Sequence, residues 1–288
     1  MLARVRSILS LALALTLAGC ATFTREMAYE TRASVAMSGT VMEHSVLVPR
    51  DLQADEHLPI VLFLHGGGDG PDCLDRHGVS GRIVEAMERG ELPRMVIVVP
   101  QGDLGLWADW HDGSRFYERW AIEALARARR RYHTARCPTG CHLVGISMGA
   151  DGASRMALHH PGLFSSVAII SGPALDTDRR IAFANDPLIS ILVPTHRIFG
   201  PTTPRSRVER DDPFVRWRDP SSLMGTRLLV AWGTRDRDFV ISGSEALHAH
   251  LEAHAIEHET LVFEGEHAWS SWSGILLDVL RRQIAPTE

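Results

Sequence analysis

Six short runs of apolar residues, PIVLFLHG, RMVIVVPQG, CHLVGIS, SSVAIISG, RLLVAWG and TLVFEGE, recur along the chain with helical stretches between them. A strand with one wet face alternates apolar and polar residues. One that is apolar at almost every position must be covered on both sides, as a parallel sheet requires. In the intervening stretch FYERWAIEALARARRRY, Phe116, Trp120, Ala124 and Ala128 fall at four-residue steps with arginines elsewhere, which is the period of an amphipathic helix. SGSEALHAHLEAHAIEH and SSWSGILLDVLRRQI behave similarly. Strands alternating with helices predict βαβ crossovers, hence an α/β fold with a mostly parallel central sheet and helices on both faces.

At 288 residues, with 45% hydrophobic and 23% charged residues, the chain can bury one large core. A formal net charge of −5 with no polybasic patch argues against nucleic acid as a partner. All 30 basic residues are arginine. Without lysine, Schiff-base and Ser-Lys mechanisms are excluded.

Residues 1–19 have the form of a signal peptide. Arg4 and Arg6 precede an apolar stretch from Ile8 to Ala18 that is too short to span a bilayer. The stretch ends in Leu17-Ala18-Gly19-Cys20, which resembles the lipobox of bacterial lipoproteins. That resemblance implies lipidation of Cys20, export, and a lipid anchor at the cell envelope as the chain's contact with a membrane. Residues 20–38 read as a linker and 39–288 as the catalytic domain. Of the remaining cysteines, Cys137 and Cys141 have a spacing that permits a small disulfide loop without fixing it. No second pair of ligands at zinc spacing accompanies them, and no metal or cofactor is expected.

Gly145-Ile146-Ser147-Met148-Gly149 lies between a strand and a helix, the context in which a GxSxG pattern becomes a nucleophile elbow. A serine hydroxyl needs a base, and the base needs an orienting carboxylate. GTRDRDFV offers Asp236, with Asp238 as a competitor two residues on, and GEHAWSSW offers His267. The order Ser, Asp, His is that of α/β hydrolases. In FLHGGGDG, the backbone of Gly67, together with that of Met148, can supply donors to an oxyanion.

From about Pro59 to Trp272 the chain resembles the esterase D type family of the α/β-hydrolase superfamily. Its most specific parts are GISMGADGASRMALHHPGLFSSVAIISG, GTRDRDFV and GEHAWSSW. The resemblance implies Ser147, Asp236 and His267 as catalytic residues and Gly67 and Met148 as the oxyanion hole. Ala150 stands where that family usually has a further glycine.

A long, Pro-, Arg- and Asp-rich insert at about 173–226 is expected to form a cap-like wall of the pocket. His65, Trp110 and Trp269 are the candidate substrate-binding residues. His250, His254 and His258 recur at i, i+4 spacing and read as an exposed helix face in preference to a metal site. Together these features predict hydrolysis of a small-molecule or cell-envelope carboxylic ester through an acyl-serine. Acyl transfer or peptide hydrolysis by the same triad, and an inactive hydrolase-fold binding module, are the alternatives.

Overall fold

The structure, a computed structural model, describes residues 26–284; the expected signal segment and Cys20 lie outside the described residues. Its strands are β1 (Met27–Ala33), β2 (Val41–Leu47), β3 (Ile60–Leu64), β4 (Val96–Pro100), β5 (Cys141–Ile146), β6 (Ser166–Ile170), β7 (Arg227–Arg235) and β8 (His258–Glu266). They form a single sheet in the order β1-β2-β4-β3-β5-β6-β7-β8. Pairing is antiparallel from β1 to β2 and from β2 to β4, and parallel from there on. The six apolar runs are β3 to β8, so the fold is the α/β-hydrolase type expected.

Helices follow the strands in alternation. α1 (Cys73–Arg76) and α2 (Val79–Glu88) come after β3, α3 (Tyr117–Arg131) after β4 and α4 (Met148–His159) after β5. Between β6 and β7 run α5 (Thr177–Asn185), α6 (Ile189–Leu192), α7 (Thr195–Phe199), α8 (Ser206–Glu209) and α9 (Pro213–Arg216). α10 (Asp238–Ala253) and α11 (Trp269–Ile284) complete the chain. Successive side chains of β3 point to opposite layers. Leu62 and Leu64 pack with Trp120 of α3, Ala153 of α4 and Leu247 of α10, whereas Val61 and Phe63 pack with Ile83 of α2 and Leu276 of α11. Each of these side chains is removed completely from water, and burying a valine, leucine, isoleucine or phenylalanine stabilises by about 1.5–3 kcal/mol.

Two expectations change. Residues 27–33 are not linker: β1 is woven onto β2, with Met27 opposite Leu47 and Ala33 opposite Val41. Only Met27 of the strand is buried, so its own composition carries little apolar signal and its pairing with β2 makes it a strand. The turn that follows is fixed by Glu123 of α3, which accepts from the Ser34 hydroxyl at 2.7 Å and from the Ala36 N–H at 3.0 Å. The second change concerns His250, His254 and His258, which share no helix face. α10 ends at Ala253, Ala255 takes φ +54°, and His258 opens β8. None of the three rings is exposed. His250 Nε2–H donates to the Trp217 carbonyl at 2.7 Å, and His254 Nδ1–H to that of His250 at 2.9 Å.

Cys137 and Cys141 form a disulfide at the entry to β5, and Cys73 is a buried free thiol. The insert is fastened to the body by charge. His159 of α4 lies between Glu118 of α3, at 2.9 Å, and Asp211 of the insert, at 2.8 Å. Hydrogen bonds to Asp211 and Glu118 raise the His159 pKa to about 9. Burial opposes ionisation of Glu118, yet the bonds from His159 and His160 outweigh it and bring that carboxyl down to about 2.

Candidate active site

The site is built at the carboxyl end of β5, where the chain turns into α4 through Ser147 at φ +56° and ψ −115°. A side chain on a backbone of this hand costs about 1–3 kcal/mol and persists only where the surroundings enforce it. Here the flanking glycines do so. A Cβ on Gly145 would penetrate the Gly149 carbonyl, and one on Gly149 would penetrate the Leu64 carbonyl at the end of β3. Strand and helix therefore approach to a distance that only glycine allows, and Ser147 is lifted at the bend. Gly149→Ala is expected to destabilise the protein by about 3 kcal/mol or more, read as a shift in urea midpoint or a loss of soluble protein.

Around Ser147 the three side chains singled out by the sequence meet. Ser147 Oγ lies 2.8 Å from His267 Nε2, and His267 Nδ1 lies 2.6 Å from Asp236 Oδ1. The Asp236 side chain is wholly buried and that of His267 nearly so. Burial works against the charge on Asp236, but hydrogen bonds from His267 and from the Arg237 N–H, with the Ser171 hydroxyl close by, hold its carboxyl below the ordinary aspartate range. An ionised Asp236 accepts from Nδ1–H, which leaves Nε2 free to take the serine proton. Asp238, the competing carboxylate, is exposed at the first position of α10.

Trp272 supports this arrangement from α11. Its ring meets that of His267 edge-on at 4.9 Å, and its Nε1–H donates to Ser171 Oγ at 2.9 Å. Ser171, like Ser147, has a positive φ, of +50°. Nothing in the local sequence marks Ser171 for this role, because only the end of β6 brings it beside the acid loop.

Opposite the triad runs the glycine loop. A Cβ on Gly66 would lie 3.5 Å from Ser147 Cβ, and one on Gly67 would lie 4.0 Å from Met148 Cβ. Neither the Gly67 nor the Met148 N–H donates to a backbone carbonyl among the described residues. Met148 is the first residue of α4, where an N–H has no partner within the helix. The two amides thus border the hydroxyl with their donors uncommitted and with the positive end of a helix behind one of them.

Of the three expected substrate contacts, His65 is sealed off from the site, while Trp110 and Trp269 are half-buried with partners of their own. His65 is fully buried: its Nε2 accepts from the Gly102 N–H at 3.0 Å, so its Nδ1–H donates to the Gly66 carbonyl at 2.8 Å. Burial holds its pKa below the ordinary histidine range, and the neutral ring braces the glycine loop from behind. Trp107, with Nε1 donating to the His65 carbonyl at 3.1 Å, packs from the other side. Trp110 donates to the Gly105 carbonyl at 3.3 Å and sits between Tyr117 and the Arg197 guanidinium. Trp269 donates to Asp69 Oδ2 at 2.8 Å and stacks on His77 at 4.5 Å, which ties the loop containing Gly66 and Gly67 to α11. The signal for Asp69 was in plain view, an aspartate directly after three glycines. Its partner is two hundred positions away.

Comparison with known proteins places this geometry. Residues 34–282 match the model of the esterase family described as "Putative esterase". A ferulic acid esterase structure superposes with a TM-score of 0.72 at 19% identity, covering 90% of this chain and 97% of that one. A substrate-bound fluorophosphonate-binding serine hydrolase of Staphylococcus aureus, FphF, gives 0.72 at 14%, covering 90% and 98%. An uncharacterized protein of Bacillus subtilis strain 168, YjcH, is 24% identical over 222 residues, 75% of this chain and 82% of that protein. At these identities the likeness is one of fold, while the family model spans nearly the whole described chain. The chain belongs to this esterase family and has the α/β-hydrolase fold.

Proposed function

We propose that the protein hydrolyses carboxylic esters through an acyl-serine on Ser147, with His267 as base and then acid, and with Asp236 holding the imidazole. The observation that carries this reading is the unbroken chain from Ser147 Oγ to His267 Nε2 at 2.8 Å and from His267 Nδ1 to Asp236 at 2.6 Å. In the first half-reaction, Oγ attacks the ester carbonyl as its proton passes to Nε2. The oxyanion that forms takes hydrogen bonds from the Gly67 and Met148 amides, each worth about 10²–10³ in rate. His267 returns the proton to the departing alcohol, then draws one from water as its oxygen attacks the acyl-serine, and gives it to Ser147 Oγ as the acyl bond breaks and the acid leaves. A p-nitrophenyl ester series of increasing acyl length, run with the purified protein, should show a burst equal to the enzyme concentration followed by turnover. Absence of a burst with every ester, at rates equal to buffer, would overturn the assignment.

We also propose that the mature protein is tethered to the cell envelope through lipid on Cys20. Support comes from Leu17-Ala18-Gly19-Cys20 after a short apolar segment. Labelling cells with an alkynyl palmitate should tag the wild-type protein and not Cys20→Ser, and the substituted protein should leave the membrane fraction. Equal membrane recovery of both would sink the idea.

A further inference from the structure

Away from the triad, the insert closes over α3 and α4 around a cavity of about 530 Å³. None of Ser147, Asp236 and His267 lines it. Arg155, one of its wall residues, lies two turns along α4 from the nucleophile, about 12 Å down the helix axis. We propose that this cavity is a second binding site, for a small molecule that carries an oxyanion, phosphate or carboxylate, on an apolar body.

The cavity wall carries five arginines, Arg155, Arg180, Arg207, Arg210 and Arg216, against three carboxylates, Asp109, Glu118 and Asp211. Arg180 is 1% exposed and pairs with Asp151 Oδ1 at 2.9 Å, but its buried Nε–H has no acceptor. Arg155, equally buried, bonds the same carboxylate at 3.1 Å, and the Glu118 and Asp211 carboxylates also act on it. Around the opening, Arg207, Arg210 and Arg216 have no carboxylate partner among the described residues. The acids in the wall are already engaged. Asp109 bonds Arg119 at 2.6 Å, and Glu118 and Asp211 are held by His159.

A phosphate or carboxylate is the group that a planar guanidinium accommodates best, and Arg207, Arg210 and Arg216 offer theirs without a competing carboxylate among the described residues. Leu158, Ile198, Phe199 and Val208 add apolar surface to the wall, beside the polar His111 and Thr202. The volume falls in the range of about 300–1,000 Å³ typical of small-molecule sites. Since α4 carries both the cavity's Arg155 and, at its start, the elbow serine, an occupant would brace the insert against the helix that presents the nucleophile.

The test is isothermal titration of the purified full-length protein in detergent with phenyl phosphate, phthalate and benzyl alcohol at fixed ionic strength. At least one anion should bind saturably with a Kd below about 1 mM, and the neutral alcohol should not. The tighter anion identifies the head group. Arg180→Gln should abolish binding. If that variant fails to fold, the double variant Arg207→Gln/Arg216→Gln still decides, because both side chains reach solvent. It should weaken binding by about tenfold or more while p-nitrophenyl butyrate turnover stays unchanged. Failure of both anions to saturate below about 10 mM, or equal affinity in the double variant, would overturn the proposal.

Discussion

Replacing Ser147 by alanine is expected to lower kcat for p-nitrophenyl butyrate on the order of 10⁶-fold, with the burst lost and the melting temperature nearly unchanged. The size of the effect follows from the roles of the three residues. With no oxygen to acylate, His267 and Asp236 have nothing to activate, and the rate falls to what the oxyanion donors alone achieve with water. Stability should hold because the elbow is shaped by contacts of Gly145 and Gly149, not by the hydroxyl. Alanine inherits the same positive φ as serine, so the strain is unchanged. Stopped-flow release of p-nitrophenol, alongside a thermal melt, checks both halves. A variant that keeps a tenth of the wild-type rate would remove Ser147 from the chemistry.

Asp236→Asn should cost about 10⁴ in kcat, whereas Asp238→Asn should leave it within about twofold. The carboxamide has nearly the shape of the carboxylate and can occupy the same buried place. Its NH₂, however, can donate toward His267 Nδ1, which then keeps its proton on Nε2, the atom that must receive the serine proton. The loss is one of tautomer and of charge, because the imidazolium formed during attack would face a neutral amide. Complete burial of the Asp236 side chain means that water cannot take over the role. Asp238, exposed at the first position of α10, has no such part. Steady-state kinetics of the two variants side by side is the measurement, and equal losses would undo the distinction.

The parts of the fold readable from sequence were those whose identity is set by burial on both faces. β3 to β7 are nearly continuous apolar runs because helices cover them above and below, whereas β8, at the other edge of the sheet, has only Phe263 and Gly265 buried and was legible from its apolar centre alone. β1 was hidden for the opposite reason. At the sheet's edge, with only Met27 buried, it has the composition of a solvated tail and becomes a strand through its partner. The mistaken extension of α10 to residue 258 has a local cause. The apolar period continues past Ala253, but the backbone turns over at Ala255 and feeds β8. In the site, Ser147, Asp236 and His267 were legible because each has a loop of fixed character after a strand. Residue type alone cannot tell a side chain that faces the pocket from one that braces its wall, as His65 does. That difference is set by long-range partners: Gly102 for His65, Arg197 for Trp110 and Asp69 for Trp269.

Trp269 carries a consequence for how the site is held together. It stands two residues after His267, and its indole grips the loop that offers the Gly67 amide. The proton carrier and one of the two oxyanion donors therefore ride on a common strut. The Trp269 contacts thus tie the segment that carries the imidazole to the segment that carries the Gly67 amide.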